Sequence, residues 1–111
     1  MAYNEDIAVR LRAYLPRLGD FEEKKMFGGL AFLLNGKMVI GVIKDQAVVR
    51  INPENRAEFL KKPDTAEMDF TGRPMKGFLY VSMDGIASDE DLGFWAEHAV
   101  DYVVNTILKG K

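Results

Sequence analysis

Cysteine is absent from this 111-residue chain. No disulfide can staple it, and no thiolate can serve as nucleophile or metal ligand. The absence agrees with a cytoplasmic setting, which is the expected location. Histidine is nearly absent too, since His98 stands alone. Zinc sites draw three or four ligands chiefly from Cys and His, so no metal centre is expected. An excess of basic charge is also missing. Fifteen Lys and Arg face 17 Asp and Glu, for a net charge of −2. Nucleic-acid affinity comes largely from neutralising phosphate, so direct nucleic-acid binding is not expected. No long apolar run occurs, the longest being Leu30–Leu34. Met1–Asp6 offers no basic segment leading into an apolar one, so neither a membrane span nor a secretory signal is expected. Repeats, low-complexity stretches and linkers are absent as well.

What is present reads as one domain, 1–111. Hydrophobic residues make up 48% and charged residues 29%, a globular balance far from that of disordered chains. Asn4 is suited to cap a first helix, with Ile7, Leu11, Tyr14, Leu15 and Leu18 on one face. Pro16 weakens the end of that helix and Gly19-Asp20 stops it. Four strands are expected next, over Glu22–Phe27, Leu30–Leu34, Lys37–Ile43 and Ala47–Ile51. Asn35-Gly36 joins the second and third, because both residues tolerate the positive φ of a two-residue hairpin. Asn52-Pro53 opens a short helix to about Leu60, which Lys62-Pro63 ends. Thr71-Gly72-Arg73-Pro74 is a loop, and Gly77–Met83 is a further strand turning out at Met83-Asp84-Gly85. Ser88 caps a long last helix reaching about Leu108, whose buried stripe is Leu92, Trp95, Ala99, Val103 and Ile107. The acidic run Asp89-Glu90-Asp91 complements the positive end of that helix. Hairpin-length connections predict an α+β fold: an antiparallel sheet of about five strands, an N-terminal helix, a short middle helix and a long C-terminal helix.

The second and third strands do not alternate apolar with polar. Leu30, Phe32 and Leu34 line one face while Ala31 and Leu33 line the other, and Met38, Ile40 and Val42 oppose Val39 and Ile43. A sheet with one solvated face alternates. Both faces of the central hairpin are therefore expected to be covered. If every helix lies on one face, a second copy, a partner or a loop must cover the other.

No catalytic constellation stands out, and no cofactor is expected. Gly28-Gly29 follows a strand, as phosphate-cradling loops do, but those need further glycines and a helix behind them. A bulge or open turn is the simpler reading. His98 lies at the edge of the apolar stripe without an evident orienting partner. The hydroxyls Thr65, Thr71, Ser82, Ser88 and Thr106 lie in no nucleophile elbow. Lys24 and Lys25 precede the glycine pair, and Arg73 and Lys76 flank Pro74-Met75. If the two loops share one end of the sheet, these cations form an anion-binding patch. Six methionines supply core filler or adaptable contact surface.

Three segments carry a family resemblance: Lys25-Met26-Phe27-Gly28-Gly29, Asn35-Gly36-Lys37-Met38 and Gly72-Arg73-Pro74-Met75-Lys76-Gly77. Together they resemble the N-terminal domain of the TfoX/Sxy family, bacterial regulators of natural competence. The resemblance runs from about Phe21 to the last helix. It implies a curved antiparallel sheet with flanking helices, similar to secretion chaperones, and it implies a stand-alone version of a module to which longer regulators add a second, helical domain. It brings no catalytic residues. The function expected is a non-catalytic protein-interaction module, with a protein partner, self-association or both. The alternative is a small-ligand- or anion-binding domain, or an undetected enzyme, using the loops at Gly28-Gly29 and Arg73–Lys76 with Tyr80.

Overall fold

Asn4 begins the first helix as its composition suggests. In the computed structural model, which describes residues 3–26, 28–70 and 73–108 with the side chains of 69, 70 and 73–76 excepted, the Asn4 Oδ1 accepts from the Asp6 and Ile7 N–H groups at 2.8 and 3.2 Å. Two of the orphan donors of helix α1 (Glu5–Tyr14) are thus satisfied. The α-helix stops before Pro16, whose ring clashes with the carbonyl a turn earlier. A 3-10 turn, Leu15–Arg17, carries the chain on and keeps Leu15 buried. The Asn4 N–H donates to the Lys44 carbonyl at 2.7 Å, which ties this end of the chain to the sheet.

The sheet has six strands, all paired antiparallel: β1 (Glu22–Met26), β2 (Gly29–Leu34), β3 (Lys37–Ile43), β4 (Gln46–Arg50), β5 (Thr65–Phe70) and β6 (Arg73–Ser82). Their spatial order is β1-β2-β3-β4-β6-β5. The expectation of about five strands misses β5, and it starts β6 four residues late. Phe27, read as the end of the first strand, and Thr71-Gly72, read as a loop, lie outside the described residues. Asn35 and Gly36 adopt φ of 51° and 82°, the left-handed pair that the hairpin between β2 and β3 requires. Register slips between Phe32 and Leu33, leaving Val39 without a partner across the pair. This bulge turns Val39 and its neighbour Ile40 into the same core, so the strict alternation of β3 is broken there.

Asn52 caps a 3-10 turn, Pro53–Asn55, by accepting from the Glu54 N–H at 3.0 Å. The turn runs into the single-turn helix α2 (Arg56–Leu60). Ser88 caps α3 (Asp89–Tyr102), its Oγ accepting from the Asp91 N–H at 3.0 Å. The last turns, Val103–Ile107, widen into a π-helix.

Every helix packs on one face of the sheet. Ile7 and Leu11 of α1, Phe59 of α2 and Leu92, Trp95, Ala99 and Val103 of α3 join Leu30, Phe32, Ile40, Val42, Val49, Leu79 and Val81 in one buried cluster. The opposite face holds a smaller cluster of Ala31, Met38, Val48 and Met68, rimmed by the partly buried Met26, Leu33, Ile43, Phe78 and Tyr80. The doubly apolar central strands therefore correspond to two separate clusters. The second is closed in part by its own long side chains: a Cβ on Gly41 would touch the Met38 methyl carbon at 3.2 Å. Among the described residues no polar or charged residue is fully buried, and no helix is long and apolar enough to cross a membrane.

Candidate functional site

The register decides first what the sequence-derived cations can do. Lys24 pairs with Ala31 and Lys25 with Leu30, so strand alternation sends these two exposed lysines to opposite faces. Gly28 is an exposed turn residue and Gly29 is buried at the start of β2. A strand follows them, where a phosphate loop has a helix N-terminus. Gly29 answers a different need, because a Cβ on it would lie 2.2 Å from the Val42 carbonyl oxygen of the neighbouring strand.

The glycine pair sits at the sheet end where Met26 pairs with Gly29, Ile43 with Gln46 and Gln46 with Ser82. Arg73 opens β6 at the other end, beyond the pairing of Arg50 with Phe78. Three strands separate β1 from β6. The loop at Gly28-Gly29 and the hairpin at Arg73–Lys76 are thus opposed in both directions, and the fold does not bring them together. The side chains of Arg73 and Lys76 lie outside those described. Tyr80 is on the second face of the sheet, two residues before the end of β6 and opposite Val48.

His98 is half-buried, as the edge of its stripe predicts. Its ring meets Phe59 edge-on at 4.8 Å. Its Nε2 is buried without a hydrogen-bond partner among the described residues. Burial lowers its pKa from the ordinary histidine value, and the nearby Asp101 carboxylate offsets this in part. Among the described residues, no group of three or more Asp, Glu or His side chains is placed to hold a metal ion.

The feature that sequence reading missed is the outward side of α3. The buried stripe was legible, but a second stripe runs beside it through Phe94, His98, Asp101 and Val104. Phe94 is 44% exposed and Val104 40%, and both belong to the small set of large apolar side chains the described surface leaves in water. Helical spacing contains the signal, since 94, 98 and 101 fall at i, i+4 and i+7.

Two depressions meet along this stripe and share Phe94 and His98. One, about 610 Å³, lies towards α1 and has Glu97, Asp101, Leu18 and Val104 in its wall. The other, about 800 Å³, lies towards α2 and has Lys61, Lys62, Glu58 and Pro63 in its wall. They form one open groove with an apolar midline. The Lys62 ammonium rests 4.8 Å from the centre of the Phe94 ring, a cation–π contact. Phe94 in turn packs edge-on against Trp95 at 5.0 Å and Phe59 at 6.0 Å, which fixes its ring on the core. On the other wall Glu97 accepts from the Tyr14 hydroxyl. This bond, with burial second, raises the Tyr14 pKa. Asp101 accepts from Asn105 at 2.6 Å. The groove is therefore greasy along its middle, with Glu97 and Asp101 on one side and Lys61, Lys62 and Glu58 on the other, and Phe94 and Lys62 also border a neighbouring depression lined by Asp64, Asp84, Glu90 and Asp91.

Comparison with known proteins adds one finding. The model of the TfoX N-terminal domain matches residues 13–103, from the end of α1 to the end of α3. None of the curated proteins and none of the solved structures matches the chain.

Proposed function

Because the chain belongs to the TfoX N-terminal domain family, we propose that it is a non-catalytic protein-interaction module with a regulatory role, and that the α2–α3 groove is its contact surface. The observation that supports this most is Phe94. An aromatic ring held in place by Trp95 and Phe59, yet 44% exposed, has the character of an anchor residue at a protein interface. Charged walls around an apolar midline match the core-and-rim anatomy of such interfaces. His98, turned edge-on against Phe59 with its Nε2 buried and unpartnered among the described residues, has the geometry of packing and not of general-base chemistry.

The test is capture with the tagged protein, comparing wild type with Phe94→Glu. The expected result is a specific protein bound by wild type and lost from the variant, whose circular dichroism is unchanged. Capture that is indifferent to Phe94→Glu counts against the groove. Failure to capture any protein, including a second copy, counts against the whole reading.

A small-ligand reading has one observation in its favour, the unpartnered Nε2 of His98 between the two depressions. A ligand carrying a hydrogen-bond donor there would raise the melting temperature of wild type and leave that of His98→Phe unmoved. A metabolite screen by thermal shift without any such hit removes it.

A further inference from the structure

We propose that Met83 is an oxygen-accepting modification site: a peroxide converts its thioether to the sulfoxide, and the new oxygen takes over the hydrogen bond that Asn4 already offers the sulfur. The proposal stands apart from the α2–α3 groove and from whatever occupies it.

Asn4 has every polar group engaged. Its N–H donates to the Lys44 carbonyl at 2.7 Å, and its own carbonyl accepts from the Ala8 N–H at 3.3 Å. Its Oδ1 caps α1. Capping fixes which end of the side-chain amide is the donor. The Nδ2 then donates to Asp45 Oδ1 at 3.1 Å and to Met83 Sδ at 3.7 Å. Asp45 lies in the turn between β3 and β4, and Met83 opens the 3-10 turn Met83–Ile86 that follows β6. One amide thus joins three segments distant in sequence. The thioether is the weakest acceptor among its partners. A sulfoxide oxygen is polar and accepts strongly. The methionine side chain has three rotatable bonds, so that oxygen can turn to a donor already held in place.

Exposure supplies the selectivity. Met83 is 46% exposed, whereas Met38 and Met68 are buried and Met26 is half-buried. The chain has no cysteine, so no thiolate competes for the oxidant. In the reaction a sulfur lone pair attacks one peroxide oxygen, and the S–O bond forms as the O–O bond breaks. With hydrogen peroxide the second oxygen takes up the proton of the first and leaves as water. Sulfur loses two electrons and the peroxide gains them.

The test treats the whole chain with hydrogen peroxide and follows each methionine by peptide mass mapping. Met83 is expected to gain oxygen at least about ten times faster than Met38 and Met68. Thermal melting then reads the hydrogen bond. Relative to a Met83→Leu protein given the same treatment, oxidised wild type should gain about 4 °C, the shift expected when a weak acceptor is replaced by a full one. Asn4→Ser keeps a capping oxygen and removes the amide donor. It should be oxidised at Met83 as readily and show no such gain. Met83→Gln carries a carbonyl oxygen of similar reach and should show the gain without oxidant, but only where Asn4 is present. Oxidation of Met83 no faster than that of Met38 and Met68 overturns the site. Equal melting shifts in wild type and Met83→Leu, or a gain that survives Asn4→Ser, overturns the transfer of the hydrogen bond.

Discussion

Tyr14 lies across Gly93 so closely that a Cβ on the glycine would sit 2.6 Å from the phenolic oxygen and 3.1 Å from the ring carbon that bears it. This crossing locks α1 to α3 and delivers the Tyr14 hydroxyl to Glu97. It also explains a glycine inside a helix, where glycine costs roughly 1 kcal/mol relative to alanine.

The expected outcome of Gly93→Ala therefore depends on residue 14. In the wild-type background the gain in helix propensity is cancelled or outweighed, because the ring must leave Glu97 and forfeit a hydrogen bond contributing about 1 kcal/mol. In a Tyr14→Ala background the same substitution should stabilise by about 1 kcal/mol. Urea unfolding of the four proteins measures the coupling. Equal stabilisation in both backgrounds would show that the two residues do not touch.

Neighbouring glycines in the β1–β2 connection should behave differently. Gly29→Ala forces a Cβ against the Val42 carbonyl, a backbone atom that moves only if the strand pairing moves. A loss of about 3 kcal/mol is expected, at the upper end for overpacking. Gly28 has open space around it, so Gly28→Ala costs only the strain of a φ of 76°, about 1–2 kcal/mol. Chemical denaturation of both variants ranks them, and the reverse order would contradict the register between β2 and β3.

His98 should make stability depend on pH in one direction. Burial lowers its folded pKa, while the unfolded chain protonates near the ordinary 6.5. The unfolded state then binds more protons in this range, so the His98 contribution is fully present above 6.5 and is lost as pH falls from there towards the folded pKa. Unfolding free energy measured from about pH 7.5 to about pH 5 should fall more steeply for wild type than for His98→Asn. Asp101→Asn removes the group that offsets the depression, so its His98 should titrate at still lower pH by NMR. Parallel slopes for wild type and His98→Asn would show that the imidazole is no more shielded folded than unfolded.

Phe59 is the hub of the aromatic cluster, meeting Trp95 at 5.3 Å, Phe94 at 6.0 Å and His98 at 4.8 Å. Helix α2 is a single turn and has little stability of its own. Phe59→Ala should cost about 3–5 kcal/mol and detach α2 from α3. Trp95 is the chain's only tryptophan, so its fluorescence should shift towards longer wavelength as water reaches it. An unshifted spectrum would mean that α2 is held by something else.

Much of this fold was legible because local chemistry and tertiary demand agree. Asn4, Asn52 and Ser88 cap as their side chains dictate, and Asn35-Gly36 turns the central hairpin. The strand β5 escaped notice for a physical reason. Ala66, Glu67, Met68 and Asp69 have poor strand propensity, and the segment is held by pairing with β6 and not by its own preference. The early start of β6 escaped because Pro74 argues against a strand. It is tolerated where β6 runs past the end of β4 and has β5 as its only neighbour, so the missing N–H breaks no ladder on the other side. Of the candidate site, His98 was legible from its place on the helix. The lysines at 24 and 25 were legible only as charges, because deciding whether distant loops share a sheet end needs the strand order. Phe94 was passed over because a single aromatic off the buried stripe is indistinguishable in sequence from an ordinary surface residue.

The outermost strand β1 reads Glu22-Glu23-Lys24-Lys25 before it reaches an apolar residue. Its row of unpaired backbone groups would otherwise template another sheet edge, and consecutive charges are a common barrier to that. Crowding these molecules together should consequently leave them dispersed instead of drawing them into endless fibres. Neutralising those four positions is the change most apt to turn a dispersed protein into one that polymerises through its backbone.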